Sequence, residues 1–192
     1  MTDELKQQSM LAQDLQKHYN ELGIDAKVYS VNQFKRVDGH WAKKPDLIIM
    51  NVPIILHSRL KDKVSMQSPI GIEYKTKGQG ITKYIRAVKL QAQDRYLDGV
   101  YLIKDINKEI KLNTIAFTIE EFIESGHFII EPYPKEVIDL ADMWAERVCW
   151  AFDMPLLIKR KGSYFWSYRN YYYTLDGKEV GRYGEDGKFI EY

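Results

Sequence analysis

Two side chains of complementary chemistry lie two positions apart in a short apolar segment. Glu73 and Lys75 belong to Ile-Gly-Ile-Glu-Tyr-Lys, which predicts a β-strand. Residues i and i+2 of a strand project from one face, so the carboxylate and the ammonium should lie together, with Tyr74 on the other face. Asp46 begins another apolar run and can converge on them. Carboxylates that hold a divalent cation, beside a group that orients water, are what phosphodiester hydrolysis requires.

The context of this Glu-x-Lys pattern matters more than the pattern, because the chain contains it three times. Glu4 lies in a predicted helix and Glu109 in a predicted polar turn, whereas Glu73 lies in an apolar strand. Only Glu73 combines such a strand with the single Pro-Asp dipeptide, Pro45-Asp46, before it and a predicted basic-faced helix directly after it. The alternative interpretation is that Glu73 and Lys75 are a solvated pair on a strand of some other α/β fold.

The series Pro45-Asp46, 26 further residues and then Glu73-Tyr74-Lys75 resembles the hallmark of the PD-(D/E)XK nuclease superfamily, whose fold is that of restriction endonucleases. The resemblance covers residues 2–104 of the chain. It implies a DNA-cleaving enzyme that uses Mg²⁺ or Mn²⁺. Asp46 and Glu73 would bind the cation with help from the Tyr74 carbonyl, and Lys75 would position the nucleophilic water. A catalytically silent module of this fold, which binds DNA or a protein, is the alternative.

Two further positions follow from the same resemblance. Some relatives carry a glutamine on the next helix, often with a tyrosine four residues later. Gln91 and Gln93 precede Tyr96 by five and three residues, so neither has this spacing, and Gln91 is kept as a candidate against the alternative of a surface glutamine. Many relatives also use a glutamate on the first helix, for which Glu4 and Glu21 are both candidates.

A basic segment follows the candidate site. Residues 1–96 hold 16 Lys and Arg against 10 Asp and Glu, whereas residues 97–192 hold 12 against 17. Basic side chains can follow a phosphate backbone through charge alone. The candidates for nucleic-acid binding are Lys77, Lys83, Arg86 and Lys89, and the alternative is a solvated helix face.

Apolar periodicity predicts the elements that position these residues. An amphipathic helix over 2–22 should end at Gly23, and Asp38-Gly39 should join extended segments in a hairpin. Residues 51–68 give no clear pattern. The extended segments are 26–30, 33–37, 44–50, 70–76 and 100–103, with a helix over 81–96.

The second half is expected to cover and extend this core. Thr118-Ile-Glu-Glu121 has the form of a capping box for a short helix, and Pro134 can open another. The aromatic residues of 164–173 are typical of the packing face of a small antiparallel sheet, although they also have the composition of a base-stacking platform. We therefore predict an α/β, restriction-endonuclease-like mixed central sheet flanked by helices in residues 1–153, with a small antiparallel β appendage in 154–192.

Composition limits the classes of protein that fit. The chain has 192 residues, a net charge of +1, 45% hydrophobic residues and one cysteine, which is ordinary for a globular protein without disulfides. Its apolar runs are far shorter than the roughly 20 residues of a membrane helix. We expect a cytoplasmic protein with DNA as its partner and no membrane. A protein partner on the C-terminal aromatic sheet and a homodimer are both open.

Charge reversal of Lys83, Arg86 and Lys89 tests the basic helix face. We expect weaker DNA binding with a flatter salt dependence, because each lost phosphate contact removes about 0.9 from the log-log slope on duplex DNA. Affinity measured over a series of salt concentrations checks this. An unchanged slope would mean that the face is only solvated.

Overall fold

The computed structural model describes residues 3–39, 43–57, 63–75, 95–119, 155–168, 171–183 and 189–192. The described elements, in chain order, are α1 (Asp3–Glu21), β1 (Lys27–Ser30), β2 (Phe34–Arg36), β3 (Leu47–Met50), β4 (Pro53–His57), β5 (Lys63–Gln67), β6 (Ile70–Lys75), β7 (Val100–Ile103), β8 (Lys108–Lys111), β9 (Thr114–Ile119), β10 (Leu156–Arg160), β11 (Ser163–Tyr168), β12 (Tyr171–Thr174), β13 (Glu179–Tyr183) and β14 (Phe189–Glu191).

Within these ranges, the protein is an α/β structure with one helix and a mixed sheet of nine strands. The strand order of the sheet is β1-β3-β6-β9-β10-β11-β12-β13-β14. Pairing is parallel between β6 and β9 and between β9 and β10, and antiparallel elsewhere. A second sheet has the order β2-β7-β8, and β4 pairs with β5 in a hairpin. The expected mixed central sheet is therefore present.

The first helix follows its predicted pattern closely. Leu11, Ala12, Leu15 and Tyr19 are buried at three- and four-residue steps, and they pack on the face of the sheet that carries Tyr74. Gly23 ends the helix with a φ of 69°, a backbone conformation that glycine adopts without steric cost. No helix in the described ranges is long and apolar enough to cross a membrane.

The Asp38-Gly39 hairpin is wrong as a strand connection. Strand β2 pairs with β7, and β3 pairs with β1. Asp38 accepts two hydrogen bonds from the Arg36 guanidinium, at 2.7 and 2.9 Å, and the Val37 amide donates to the Val100 carbonyl. Side-chain and long-range backbone bonds direct this segment to a different sheet.

Two other local predictions are also wrong. Glu109 lies in β8 rather than in a polar turn, because Ile110 between two exposed neighbours supplies the burial alternation of a strand. Thr118 lies in β9 rather than at a helix N-cap, and its hydroxyl donates to the Leu157 carbonyl at 2.9 Å. The helices predicted over 81–96, 118–126 and from Pro134 onward lie largely outside the described residues.

The C-terminal strands form the expected antiparallel meander, and they continue the main sheet. Strand β10 pairs with β9 in parallel, so hydrogen bonding crosses the boundary drawn at residue 153. The aromatic rings of this region pack into the core clusters on both faces of the sheet, which confirms the packing interpretation. Those exposed by at most 3% are Tyr164, Trp166, Tyr168, Tyr172 and Tyr173.

A charged contact joins the N-terminal helix to these last strands. Asp14 of α1 accepts hydrogen bonds from Lys159 Nζ at 2.5 Å and from the Tyr164 hydroxyl at 2.6 Å. Burial opposes ionisation of Asp14, but the hydrogen bonds from Lys159 and Tyr164 outweigh it and lower the pKa of this carboxyl. His18 packs edge-on against the Tyr164 ring, with ring centroids 4.9 Å apart.

Replacement of Asp14 by Asn should destabilise the fold by about 1 kcal/mol at neutral pH, because two charge-assisted bonds at a partly exposed site are weakened. The lowered pKa means that this contribution is present above pH 3.8 and is lost as the pH falls below it. Urea unfolding of both proteins at several pH values measures the difference.

Asp25→Asn is the matched control. Asp25 is paired with Lys27 at 3.2 Å but is 85% exposed, so its replacement should change stability by less than about 0.5 kcal/mol. Equal effects of the two replacements would contradict a stabilising role for the Asp14 contact.

Candidate functional site

Asp46 lies where the β3–β6 pair begins. Its amide donates to the Ile72 carbonyl at 2.9 Å, which extends the antiparallel ladder by one bond. Its Oδ2 atom then accepts a hydrogen bond from the Tyr74 amide at 2.7 Å. The backbone of the Glu-Tyr-Lys strand therefore holds the Asp46 carboxyl beside that strand.

Glu73 and Lys75 lie on one face of β6, as their spacing predicted. The Lys75 ammonium donates to Oε1 of Glu73 in a salt bridge. Glu73 is only 4% exposed, and its Oε2 atom accepts a hydrogen bond from the Tyr96 hydroxyl at 2.8 Å. Tyr74 packs on the opposite face, in the core cluster under α1. The alternation of the strand therefore places Glu73 and Lys75 on the face opposite the helix-covered core.

Gly71 allows the close approach of the strand segments at this point. A Cβ atom there would lie 2.8 Å from Leu112, 3.0 Å from Ile115 and 3.2 Å from Pro45. Pro45 immediately precedes Asp46 along the chain. The absence of a side chain at position 71 thus leaves room for Pro45, the residue directly before Asp46.

The first helix contributes a residue that the sequence interpretation did not select. Gln8 is 3% exposed, and its Nε2 atom donates to Oδ1 of Asp46 at 2.7 Å. Its Oε1 atom is buried and has no hydrogen-bond partner among the described residues. Gln8 occupies the same helix face as Leu11 and Leu15, so a polar residue at an apolar position was the available signal.

Electrostatics within the cluster oppose ionisation of Asp46. Burial and then the neighbouring charge of Glu73 raise the pKa of Asp46 to about 8, against the opposing effects of the Tyr74 amide and Lys75. Glu4 also contributes to this rise, whereas Glu21 lies at the other end of α1 and pairs with Lys17. Between the two helix glutamates, Glu4 is therefore the one near the site.

Tyr96 connects Glu73 to the second sheet. Its carbonyl accepts a hydrogen bond from the Tyr101 hydroxyl at 3.1 Å, and the Arg36 guanidinium lies 5.9 Å from the centre of the Tyr101 ring. Burial and the adjacent Glu73 charge raise the pKa of Tyr96 far above its usual range, so its hydroxyl keeps its proton. Sequence periodicity placed Tyr96 correctly on a buried face, but it gave no partner for the hydroxyl.

The donor set suits a hard divalent cation. A carboxylate has about four acceptor positions, and the protein donors use only part of those of Asp46 and Glu73. Oxygen ligands are the ones that Mg²⁺ binds, and the unpaired Oε1 of Gln8 adds another acceptor nearby. No group of three or more His, Cys, Asp or Glu side chains suited to a metal occurs in the described part of the chain.

No protein-family model, curated protein or solved structure matches the chain. The geometry and chemistry of the site are therefore the guide to its function.

The remaining candidates cannot be placed beside this cluster. Gln91 and the four basic residues proposed to contact nucleic acid, Lys77, Lys83, Arg86 and Lys89, lie outside the described residues. The structure brings together Asp46, Glu73, Lys75, Gln8 and Tyr96.

The raised pKa of Asp46 predicts a specific pH dependence of stability in metal-free protein. The folded state holds this proton more tightly than the unfolded state, so the wild type loses stability as the pH rises from about 4 to about 8. Asp46→Asn cannot ionise and should escape this loss. The stability of the variant relative to the wild type should therefore increase between pH 5 and pH 8.

Urea unfolding in the presence of a chelator measures this difference. Asp98→Asn, which replaces an exposed carboxyl, provides the comparison and should give a curve parallel to that of the wild type. Parallel curves for Asp46→Asn as well would contradict the raised pKa of Asp46.

Proposed function

We propose that this protein is a Mg²⁺-dependent nuclease that hydrolyses phosphodiester bonds of DNA through a PD-(D/E)XK site. The observation that carries the proposal is the junction of β3 and β6. There the Tyr74 amide binds the Asp46 carboxyl, while Glu73 and Lys75 meet on one face of the same strand. Two neighbouring carboxyl groups, one of them with a strongly raised pKa, are unfavourable without a cation and suited to binding one.

The roles of the residues follow from their positions. Asp46 and Glu73 would hold the cation, with the Tyr74 carbonyl as a further oxygen donor. Bound Mg²⁺ would supply positive charge that stabilises the negative phosphate in the transition state. Lys75 has further N–H donors beyond the one used by Glu73, so it can orient the attacking water. Tyr96 donates to Glu73 and keeps that carboxylate oriented.

The proposed substrate is DNA rather than RNA, which follows from the resemblance to the nuclease superfamily. Lys77, Lys83, Arg86 and Lys89 remain the proposed contacts to the phosphate backbone, and Gln91 remains a proposed site residue. A protein partner on the C-terminal sheet and a homodimer are also proposals.

A second candidate function is favoured by the contacts of Glu73. Both of its oxygens accept hydrogen bonds from protein groups, Lys75 and Tyr96, which is also the arrangement of a purely structural salt bridge. The protein would then be a catalytically silent module that binds DNA or another protein. A Mg²⁺ or Mn²⁺ titration separates the two functions, because a cation bound only by the folded state raises its melting temperature.

Lys75→Ala should reduce DNA cleavage severely while Mg²⁺ binding persists, because the ammonium acts on water rather than on the cation. It should also lower the stability of the metal-free fold, because Glu73 is left buried without its charged partner. Lys75→Arg should restore little activity, since a planar guanidinium does not reproduce the compact geometry of an ammonium. Cleavage of circular and linear DNA in Mg²⁺, beside a calorimetric Mg²⁺ titration, measures both properties.

The chain offers a matched control in Lys111→Ala. Lys111 ends the second strand-borne Glu-x-Lys, in β8, where both Glu109 and Lys111 are exposed. This replacement should leave cleavage unchanged. Full activity of Lys75→Ala would rule out the role of Lys75, and inactivity of the wild type on a broad DNA panel would favour the silent module.

A further inference from the structure

The two ends of the Gln8 side-chain amide have different environments. Nε2 donates to Oδ1 of Asp46 at 2.7 Å, whereas Oε1 is buried without a hydrogen-bond partner among the described residues. The residue itself is 3% exposed. A buried carbonyl oxygen without a donor is unfavourable, and most such oxygens in folded proteins are paired. An apolar side chain would pack better on this buried helix face. Packing alone therefore does not explain an amide at position 8.

The orientation of the amide follows from the chemistry of its partner. An ionised carboxylate only accepts hydrogen bonds, so the NH₂ end of Gln8 must face Asp46 whenever Asp46 is charged. The Oε1 end is then fixed as the unpaired end. A hydrogen-bond donor bound beside the Asp46 carboxylate would supply a partner for it.

Mg²⁺ supplies such donors in its hydration shell. It gives up its water reluctantly and usually keeps several molecules while one or two carboxylates bind it directly. Those water molecules are donors in need of acceptors. A buried amide oxygen attached to the group that contacts Asp46 is well suited to accept from one of them.

We propose that Gln8 belongs to the cation site, where Nε2 orients the Asp46 carboxylate and Oε1 accepts a hydrogen bond from the hydration shell of Mg²⁺. This inference rests on the proposed function, since it requires a cation beside Asp46 and Glu73. Gln8 is a positioning residue and takes no part in bond cleavage. The arrangement selects Mg²⁺ over cations that shed their water more readily.

The test compares two cations in one variant. Gln8→Met keeps the length of the side chain and removes both polar ends. Outer-shell partners typically contribute about 10- to 100-fold to metal affinity, so the dissociation constant for Mg²⁺ should rise by about that factor. Ca²⁺ binds through more direct oxygen ligands and tolerates irregular geometry, so its affinity should fall much less. Calorimetric titration of metal-free protein with each cation gives both constants.

The comparison of Mg²⁺ with Ca²⁺ distinguishes the proposed role of Gln8 from a role in orienting Asp46 only. If Gln8 only oriented Asp46, both cations would lose affinity equally, because both depend on that carboxylate. Equal losses, or no loss, would overturn the proposal. Gln8→Leu provides a second apolar variant if Gln8→Met does not fold. It also removes both polar ends, so the same larger loss of affinity for Mg²⁺ than for Ca²⁺ is expected, and equal losses would overturn the proposal.

Gln16→Met is the matched control on the same helix. Gln16 donates to the Ala26 carbonyl at 2.9 Å and accepts from the Val28 amide at 2.8 Å, so both ends of its amide are used within the protein. Its replacement should lower thermal stability without changing either cation affinity. If Gln16→Met lowered the Mg²⁺ affinity as much as Gln8→Met does, the loss would come from a general change in the helix and not from the cation site.

Failure of the inference differs from failure of the proposed function. A wild type that cleaves DNA, with a Gln8→Met variant that binds Mg²⁺ normally, overturns only the role of Gln8. A wild type that binds Mg²⁺ but cleaves no DNA overturns the nuclease and leaves the cation comparison valid as a test of Gln8. A wild type that binds no Mg²⁺ overturns both.

Discussion

The arrangement of the candidate site depends on holding the Asp46 and Glu73 carboxyl groups near each other in a buried environment. Burial and mutual repulsion both disfavour two negative charges there, as the raised pKa of Asp46 shows. The surrounding groups counter this in different ways. The Tyr74 amide and Gln8 donate to Asp46, while Lys75 and Tyr96 donate to Glu73. Each carboxyl group is thus held by donors from two separate parts of the chain.

These donors come from parts of the fold that have little else in common. Gln8 is on the N-terminal helix, Tyr74 and Lys75 are on a central strand, and Tyr96 lies just before the second sheet. The antiparallel β3–β6 ladder fixes the spacing between Asp46 and the Glu-Tyr-Lys strand. The contact between Tyr101 and Tyr96 then ties the second sheet to Glu73. The geometry of the cluster is therefore a property of the whole described core.

Local patterns in the sequence predicted those parts of the structure that local physics determines. The amphipathic helix, the Ile-Gly-Ile-Glu-Tyr-Lys strand and the common face of Glu73 and Lys75 all follow from periodicity and alternation. The partner of each strand does not, because it depends on contacts between distant residues. Asp38-Gly39 looked like a hairpin turn, yet the bonds from Arg36 to Asp38 and from Val37 to Val100 direct β2 to β7. Gln8 was missed for the same reason, since its partner is 38 positions away.

The Asp14 contact joins α1 to strands β10 and β11, which lie far along the chain from it. The helix that carries Gln8 is fixed to the sheet in part by Lys159 and Tyr164, which are made long after it. Contacts between such distant residues form slowly, because a long loop must close first. During synthesis, β9 lacks its β10 partner until Leu156 and the residues after it have been made. Strand edges that lack a partner promote association between chains, so the pairing of β9 with β10 also removes a site of aggregation.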